Sequence, residues 1–395
     1  MNRRTLVLAL LMLLALPVAA SELRLWHSHQ SLHGQGFVDQ LIADYHNAGG
    51  DRVAVTVFAP AEIKAELLLA ADAGLLPDLM LMPSDFIGLH QQLDLIPLDS
   101  RWNPPGLMAS TLDTARIGGQ QWGIPMIQGN QLLLYYNRSL VSEPASNWQQ
   151  LQAQQAMVEA KGKKLIGWNY GEMYWFTAFL GAFGGWPMAN GQITLNTPAM
   201  VAALEHYRSL SSSGLVSARC TYYCAHQAFI AGEYAYAING DWALGDMRQV
   251  LGEQLGVALL PAIGEQPMKP MRATHLLAIP KLSHAGRPDE ARVKRIKTLI
   301  AYLLSDPAQR RLFSLSGQLP VVQSAYDHAL ASGDGYTKVL LAQLAQSDPM
   351  PSDPKMTIAW QAMAKGFARL MRGATAAEAA AIIQEQADRE LKRDP

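Results

Sequence analysis

The sequence predicts an α/β protein built as two lobes, and three observations carry that prediction. Short apolar runs alternate with helical stretches from Leu23 onward. The run Leu79-Met80-Leu81-Met82 is apolar throughout, as a parallel strand covered on both faces requires, and a second alternating set starts after the turn Trp122-Gly123-Ile124-Pro125. With 395 residues, 49% of them apolar, the chain is too long for one small core and fits two.

The elements follow in order. Arg3 and Arg4, the apolar run Leu6 to Leu16 and the small residues Pro17-Val18-Ala19-Ala20 have the three-part form of a secretory signal, so residues 1–20 are expected to be a signal peptide cleaved after Ala20. The apolar run falls short of the roughly 20 residues of a membrane-spanning helix. A periplasmic protein is therefore expected. Strands are predicted at Leu23 to Trp26, Val53 to Phe58 and Leu79 to Met82, with helices at Gly36 to His46 and Pro60 to Ala73 between them. The second set comprises strands at Leu132 to Tyr136 and Leu165 to Trp168 and helices at Trp148 to Lys161, Tyr174 to Phe183 and Pro198 to Ser212. A strand at Gly256 to Leu260 leads through the Pro- and Gly-rich loop Pro261 to Pro270 to another at His275 to Ile279. The C-terminal third reads as helical, with Asp306-Pro307 opening one helix and Met356 to Met371 forming an apolar one.

Composition excludes several function classes. A net charge of −1 and a charged fraction of 16% give no electrostatic case for nucleic acid or an anionic membrane, and so apolar a composition excludes a disordered chain. The two cysteines, Cys220 and Cys224, stand in C-T-Y-Y-C far from the cleavage region, which argues against a lipid anchor. In an exported protein their spacing is read as a local structural disulfide, since a redox or metal dithiol calls for C-x-x-C or further ligands nearby.

The most informative segment is Ala228 to Met247. A helix stops at Gly232, Tyr234 to Ile238 alternates like a strand, and Asn239-Gly240 is expected to turn the backbone into Asp241 and Trp242. An aromatic ring is thereby set beside a carboxylate. Where strand and helix units build two sheets, ligands settle at the carboxyl ends of the strands, so the loops after Trp26, Met82, Gly129 and Gly240 are expected to meet at one cleft.

The succession of signal peptide, L-W-H-S, A-G-L-L-P-D-L, W-G-I-P, L-L-Y-Y-N-R-S-L, Y-W-F, A-F-I-A-G-E, I-N-G-D-W and G-Q-L-P-V resembles the extracellular solute-binding proteins of carbohydrate ABC importers, and within them the maltose-binding proteins most. The resemblance spans essentially the whole mature chain. It implies a two-lobed periplasmic binding protein fold of type II character, with discontinuous lobes joined by hinge crossovers near Gln128 to Gln131, Met271 to Thr274 and Gln318 to Ser324. Residues 21–128 with 272–320 then form the first lobe, and 129–271 with 321–395 the second. The implied function is reversible binding of a carbohydrate by a monomer that delivers it to permease subunits driven by a cytoplasmic ATPase, without catalysis and without a cofactor.

A sugar offers hydroxyls around a ring with apolar faces, so its site needs flat aromatics and short polar side chains. From the first lobe the expected ligand contacts are His27, Ser28, Gln30, Ser31 and Asp85, with Asn130 in the first crossover. From the second, the resemblance implies Glu172, Tyr174 and Trp175, which match the family's Glu and aromatic pair, and Trp242 and Trp360, which match its stacking tryptophans. Asp241 stands beside Trp242, and Arg272 at the hinge is a cation for an acidic ligand or a surface charge. Of Tyr174, Trp175 and Phe176, one or two at most can face the cleft, and Glu172 has an alternative use as a helix cap. Gln30 and Ser31 replace an Asp and a Lys of the maltose-binding proteins, Met82 or Pro83 a Trp, and Asn130 a Glu, which argues against maltose itself. A polyol or glycerol-phosphate ligand stays open. So do a glycosidase pairing Glu172 with Asp241 or Asp85, and a metal site on His27, His29 and His33.

Overall fold

The computed structural model describes residues 22–29, 35–60, 62–281, 283–284 and 287–393. The expected signal segment, together with Gln30, Ser31 and His33, lies outside them. Strands β1 (Leu23–His27), β2 (Val53–Val57) and β3 (Leu79–Pro83) run parallel, joined by helices α1 (Phe37–Asn47) and α2 (Ile63–Asp72), as the alternation predicts. Helix α2 starts at Ile63 rather than at Pro60. Strand β4 (Ile124–Gly129) then enters the same sheet. The chain next crosses to a second sheet made of β5 (Leu132–Asn137), β6 (Lys164–Gly167), β7 (Tyr234–Gly240) and β8 (Leu255–Ala258).

Between β6 and β7 lie α3 (Met173–Ala182) and α4 (Pro198–Ser212), the latter opened by Thr197, whose hydroxyl caps the Met200 amide, and by Pro198 in its first turn. The predicted helix Trp148 to Lys161 is broken at Gln154 into Trp148–Ala153 and Gln155–Glu159. Strand β9 (Met271–Ala278) returns the chain to the first sheet, running antiparallel to β3 and β4. Helices α5 (Glu290–Leu303), α6 (Asp306–Ser316) and α7 (Gln323–Ala331) follow, with the short strand β10 (Leu319–Pro320) between the last two. The chain continues through α8 (Gly335–Ala345), the edge strand β11 (Asp348–Pro349), α9 (Lys355–Leu370) and α10 (Ala376–Leu391).

The first sheet has the order β10-β4-β9-β3-β1-β2, with β11 also paired to β9, and the second the order β8-β5-β7-β6. Leu25, Leu81, Ile127 and Leu277 pack on one face of the first sheet against α1, α5 and α6, while Met80, Met82, Leu276 and Ala278 pack on the other against α2. The second sheet, α3, α4, α9 and α10 share a core in which Trp168, Tyr207, Phe176 and Phe179 are buried. Val321, Val322 and Ala325 belong to the first sheet's core, while Leu319 belongs to the second core and Tyr326 on α7 packs against it.

Candidate functional site

The carboxyl ends of β1, β3 and β4 from one sheet and of β7 from the other lie around the crossover Gly129-Asn130-Gln131. Gly129 and Asn130 both have positive φ, +125° and +45°, which lets the chain turn sharply from β4 into β5. The Tyr174 hydroxyl, at the start of α3, donates to the Asn130 carbonyl, and the Asn130 Oδ1 lies 3.2 Å from His275 Nε2 on β9. Tyr174 is thereby tied to the crossover.

Three aromatic rings gather there. Trp242 and Trp360 lie 6.0 and 6.3 Å from Tyr174, centroid to centroid, and all three are half-buried. Trp242 follows β7 and donates from Nε1 to the Tyr222 hydroxyl at 3.2 Å. Trp360 stands on α9, whose apolar residues Met356, Ala359, Met363 and Phe367 face the core and leave position 360 at its edge. Such rings offer flat apolar faces with one polar edge each, the form that stacks on a ring with C–H faces.

Polar groups face these rings from the first lobe. Asp85, half-buried after β3, has its carboxyl pushed up by burial, an effect partly offset by Lys64 and by the Trp360 indole. Lys64, in the first turn of α2, is pushed down by burial, partly offset by Asp85. Its ammonium donates to Thr357 Oγ1 on α9 at 3.3 Å and lies 5.5 Å over the Phe86 ring. Glu172 is the N-cap residue of α3 but makes no capping hydrogen bond. It is solvent-exposed, so water screens the upward push that nearby protein exerts on its carboxyl.

Several expected contacts are placed elsewhere. His27 is fully buried at the end of β1, its Nδ1 accepting from the His29 amide at 3.1 Å, and burial lowers its pKa to about 4. Asp241 is fully buried beneath the crossover, its amide donating to the Gln131 carbonyl at 3.0 Å. Neither oxygen of its carboxylate has a well-aligned hydrogen bond among the described residues. Burial raises its pKa to about 7, only partly offset by backbone amides and the Gln318 side chain. Neither residue presents surface to a ligand in this conformation, because the close packing that shapes the crossover covers both. Trp175 is likewise buried, donating to the Ile238 carbonyl at 2.8 Å and standing edge-on behind Trp242. Arg272, half-buried at the start of β9, donates from Nε to the Ser347 carbonyl at 3.2 Å. Ser28 is half-buried beside this region. The expected turn at Asn239-Gly240 is instead the last stretch of β7, because Gly240 pairs with Leu132, and the bend comes at Asp241–Ala243.

Lys64, Tyr222 and His275 belong to this constellation and escape sequence reasoning. Lys64 follows a strand's carboxyl end, which is the one signal that points to it. Tyr222 and His275 are placed only by long-range packing. The Cys220–Cys224 disulfide is formed. Among the described residues no helix is long and apolar enough to cross a membrane, and no group of three or more His, Cys, Asp or Glu is arranged to hold a metal ion. Two other concavities, of about 760 and about 960 Å³, flank the disulfide and the α9–α10 pair, and both are lined by mixed charges.

A family model described as bacterial extracellular solute-binding protein matches residues 40–338. The chain is similar to a maltooligosaccharide ABC transporter solute-binding lipoprotein of Streptococcus pneumoniae, 21% identical over 344 residues covering 82% of this chain and 79% of that protein. It is also similar to a putative binding protein of Brucella abortus, 26% identical over 188 residues covering 42% of this chain. That match spans 44% of the Brucella protein, less than half its length. Among solved structures, the maltose/maltodextrin-binding domain MalE from Bdellovibrio bacteriovorus bound to maltotriose shares the fold. The TM-score is 0.85 at 24% identity, with 94% of this chain and 100% of that chain covered.

Proposed function

We propose that this chain, which belongs to the bacterial extracellular solute-binding protein family, reversibly binds a carbohydrate between its two lobes and presents it to the permease of an ABC importer. The observation that carries this reading is the gathering of Tyr174, Trp242 and Trp360 opposite Asp85 and Lys64, a stacking surface faced by hydrogen-bonding groups. The maltooligosaccharide-binding relative and the shared fold of the maltotriose-bound domain support a linear glucose oligosaccharide as the first ligand to test. Binding to groups on both lobes favours the closed arrangement, which needs no chemistry to form.

A glycosidase is not favoured. Of the two carboxyls that reading could pair with Glu172, Asp241 is fully buried beneath the crossover, and Asp85 is half-buried among Lys64 and the Trp360 indole. Secretion to the periplasm and action as a monomer complete the proposal.

Calorimetry with maltose, maltotriose, glycerol and glycerol phosphate tests the reading. Micromolar binding of an oligosaccharide, about 8 kcal/mol at the 1 M standard state, with the sugar recovered intact is expected. Binding of none of the sugars, or their hydrolysis, would sink it.

A further inference from the structure

We propose that the Cys220–Cys224 disulfide is a positioning device for the sugar-stacking ring: it holds Tyr222, and the Tyr222 hydroxyl in turn fixes the orientation of Trp242. The inference rests on the reading of Trp242 as a stacking surface and adds the residues that orient it.

The disulfide closes a short arch, Cys220 to Cys224, with the two Cα atoms 5.5 Å apart. Both feet of the arch stand on the second lobe. The Cys220 carbonyl accepts from the Tyr170 amide at 3.0 Å, and Cys224 packs so closely on β6 that a Cβ at Gly167 would come within 3.0 Å of its own. The Cys220 sulfur also lies 3.4 Å from the Tyr234 hydroxyl on β7. Inside the arch, Thr221 caps the short helix Tyr222–Ala225.

Tyr222 is thus held at its backbone by a covalent ring and at its side chain by neighbours. Its ring stacks on His226 at 5.7 Å with planes 10° apart and meets Trp175 edge-on at 6.3 Å. Its hydroxyl receives the Trp242 Nε1–H at 3.2 Å. Two further contacts secure the base: His226 Nε2 lies 3.2 Å from Asp246 Oδ2, and Asn239 Nδ2 donates to the Ala225 carbonyl at 3.1 Å.

A bridge across four residues removes little entropy from the unfolded chain, so it contributes least to global stability among disulfides of different loop length. Its mechanical effect falls on the few residues it encloses, and Tyr222 is the one whose side chain reaches the site. A half-buried indole with its N–H satisfied keeps one rotamer, and a ring already in its bound orientation avoids ordering on ligand binding.

The test uses the full mature chain, oxidised or treated with dithiothreitol, with the variants Tyr222→Phe and Cys220→Ser/Cys224→Ser. Acrylamide quenching of Trp242, isolated by difference against matched Trp242→Phe proteins, reads the ring's freedom without any ligand. Maltotriose titration reads its consequence. Reduction and Tyr222→Phe are each expected to increase Trp242 quenching and weaken maltotriose binding about threefold to tenfold. Reduction is expected to add little in the Tyr222→Phe background, because both changes act through one hydroxyl.

Unchanged quenching in reduced protein and in Tyr222→Phe, or fully additive effects of the two, would overturn the proposal. If the double serine variant does not fold, reduction of the folded wild type supplies the same comparison. If the wild type ignores maltotriose, the ligand reading fails, while the quenching comparison still decides whether the bridge orients Trp242.

Discussion

Lys64 Nζ lies 3.3 Å from Thr357 Oγ1, joining helix α2 of the first lobe to helix α9, which carries Trp360. The ammonium is partly desolvated, with Asp85 beside it. A charged donor in such a place contributes more than an exposed one, and it acts only when the two lobes are together. Lys64→Met keeps the stem and removes the donor. It is expected to shift the unliganded protein toward an open form and weaken ligand binding by about 1 to 2 kcal/mol. Small-angle scattering and calorimetry read the two effects, and an unchanged radius of gyration with unchanged affinity would show that the contact holds nothing.

Trp242→Ala and Trp360→Ala each remove a half-buried ring from the aromatic group around Tyr174. Each is expected to cost about 2 kcal/mol of ligand affinity, roughly thirtyfold. Oligosaccharide binding that survives both substitutions would place the ligand somewhere else on the protein.

The crossover tolerates no side chain at position 129. A Cβ on Gly129 would lie 2.0 Å from Asp241 Oδ2, and its φ of +125° is open to glycine almost alone. Gly129→Ala is therefore expected to destabilise the fold by about 2 kcal/mol or more. Gly171→Ala, where a Cβ meets open space, serves as the control in urea unfolding.

Stability should peak near neutral pH. The Asp241 carboxyl is raised by burial to about 7, so between about pH 4 and 7 the folded state keeps a proton that the unfolded chain has released. Its contribution falls by on the order of 4 kcal/mol as pH rises through that window. His27 and His275 are lowered by burial to about 4, so below pH 6.5 the unfolded chain gains protons that the folded state refuses. Each costs on the order of 3 kcal/mol by pH 4. Burial lowers His29 as well, and the buried histidines together outweigh the carboxyl on the acid side until the unfolded chain's imidazoles have lost most of their protons near neutral pH. Asp241→Asn removes the loss toward neutral pH, so its advantage over the wild type should grow between pH 4 and 7. An advantage independent of pH in urea melts would refute the assignment.

Much of the architecture was legible in the chain because its signals are local. The apolar run Leu79 to Met82 and the alternation around it announce a covered parallel sheet, and the Cys220 to Cys224 spacing announces the bridge. The antiparallel insertion of β9 between β3 and β4 left no local mark, since His275 to Ala278 reads the same whichever neighbours it pairs with. At the site, Trp242 and Tyr174 were legible as aromatics just past a strand and at a helix start, whereas Trp360, inside α9, was legible only through the family resemblance. His27 and Asp241 carried the same loop-end signal and yet are buried, because a polar residue at a strand end reads alike on either side of a packed crossover.

Residue order alone therefore determined the α/β class, the two-lobed plan and the kinds of side chain available for a ligand, since periodicity, turn chemistry and composition act within a few residues. Tertiary structure decided which of those side chains meet. Lys64 and Thr357 are 293 positions apart in sequence, Tyr174 reaches the Asn130 carbonyl across 44, and Asp241 is sealed under Gly129. Such pairings depend on how two sheets and their crossovers pack in space. Packing is a property of the whole chain, and no local segment records it.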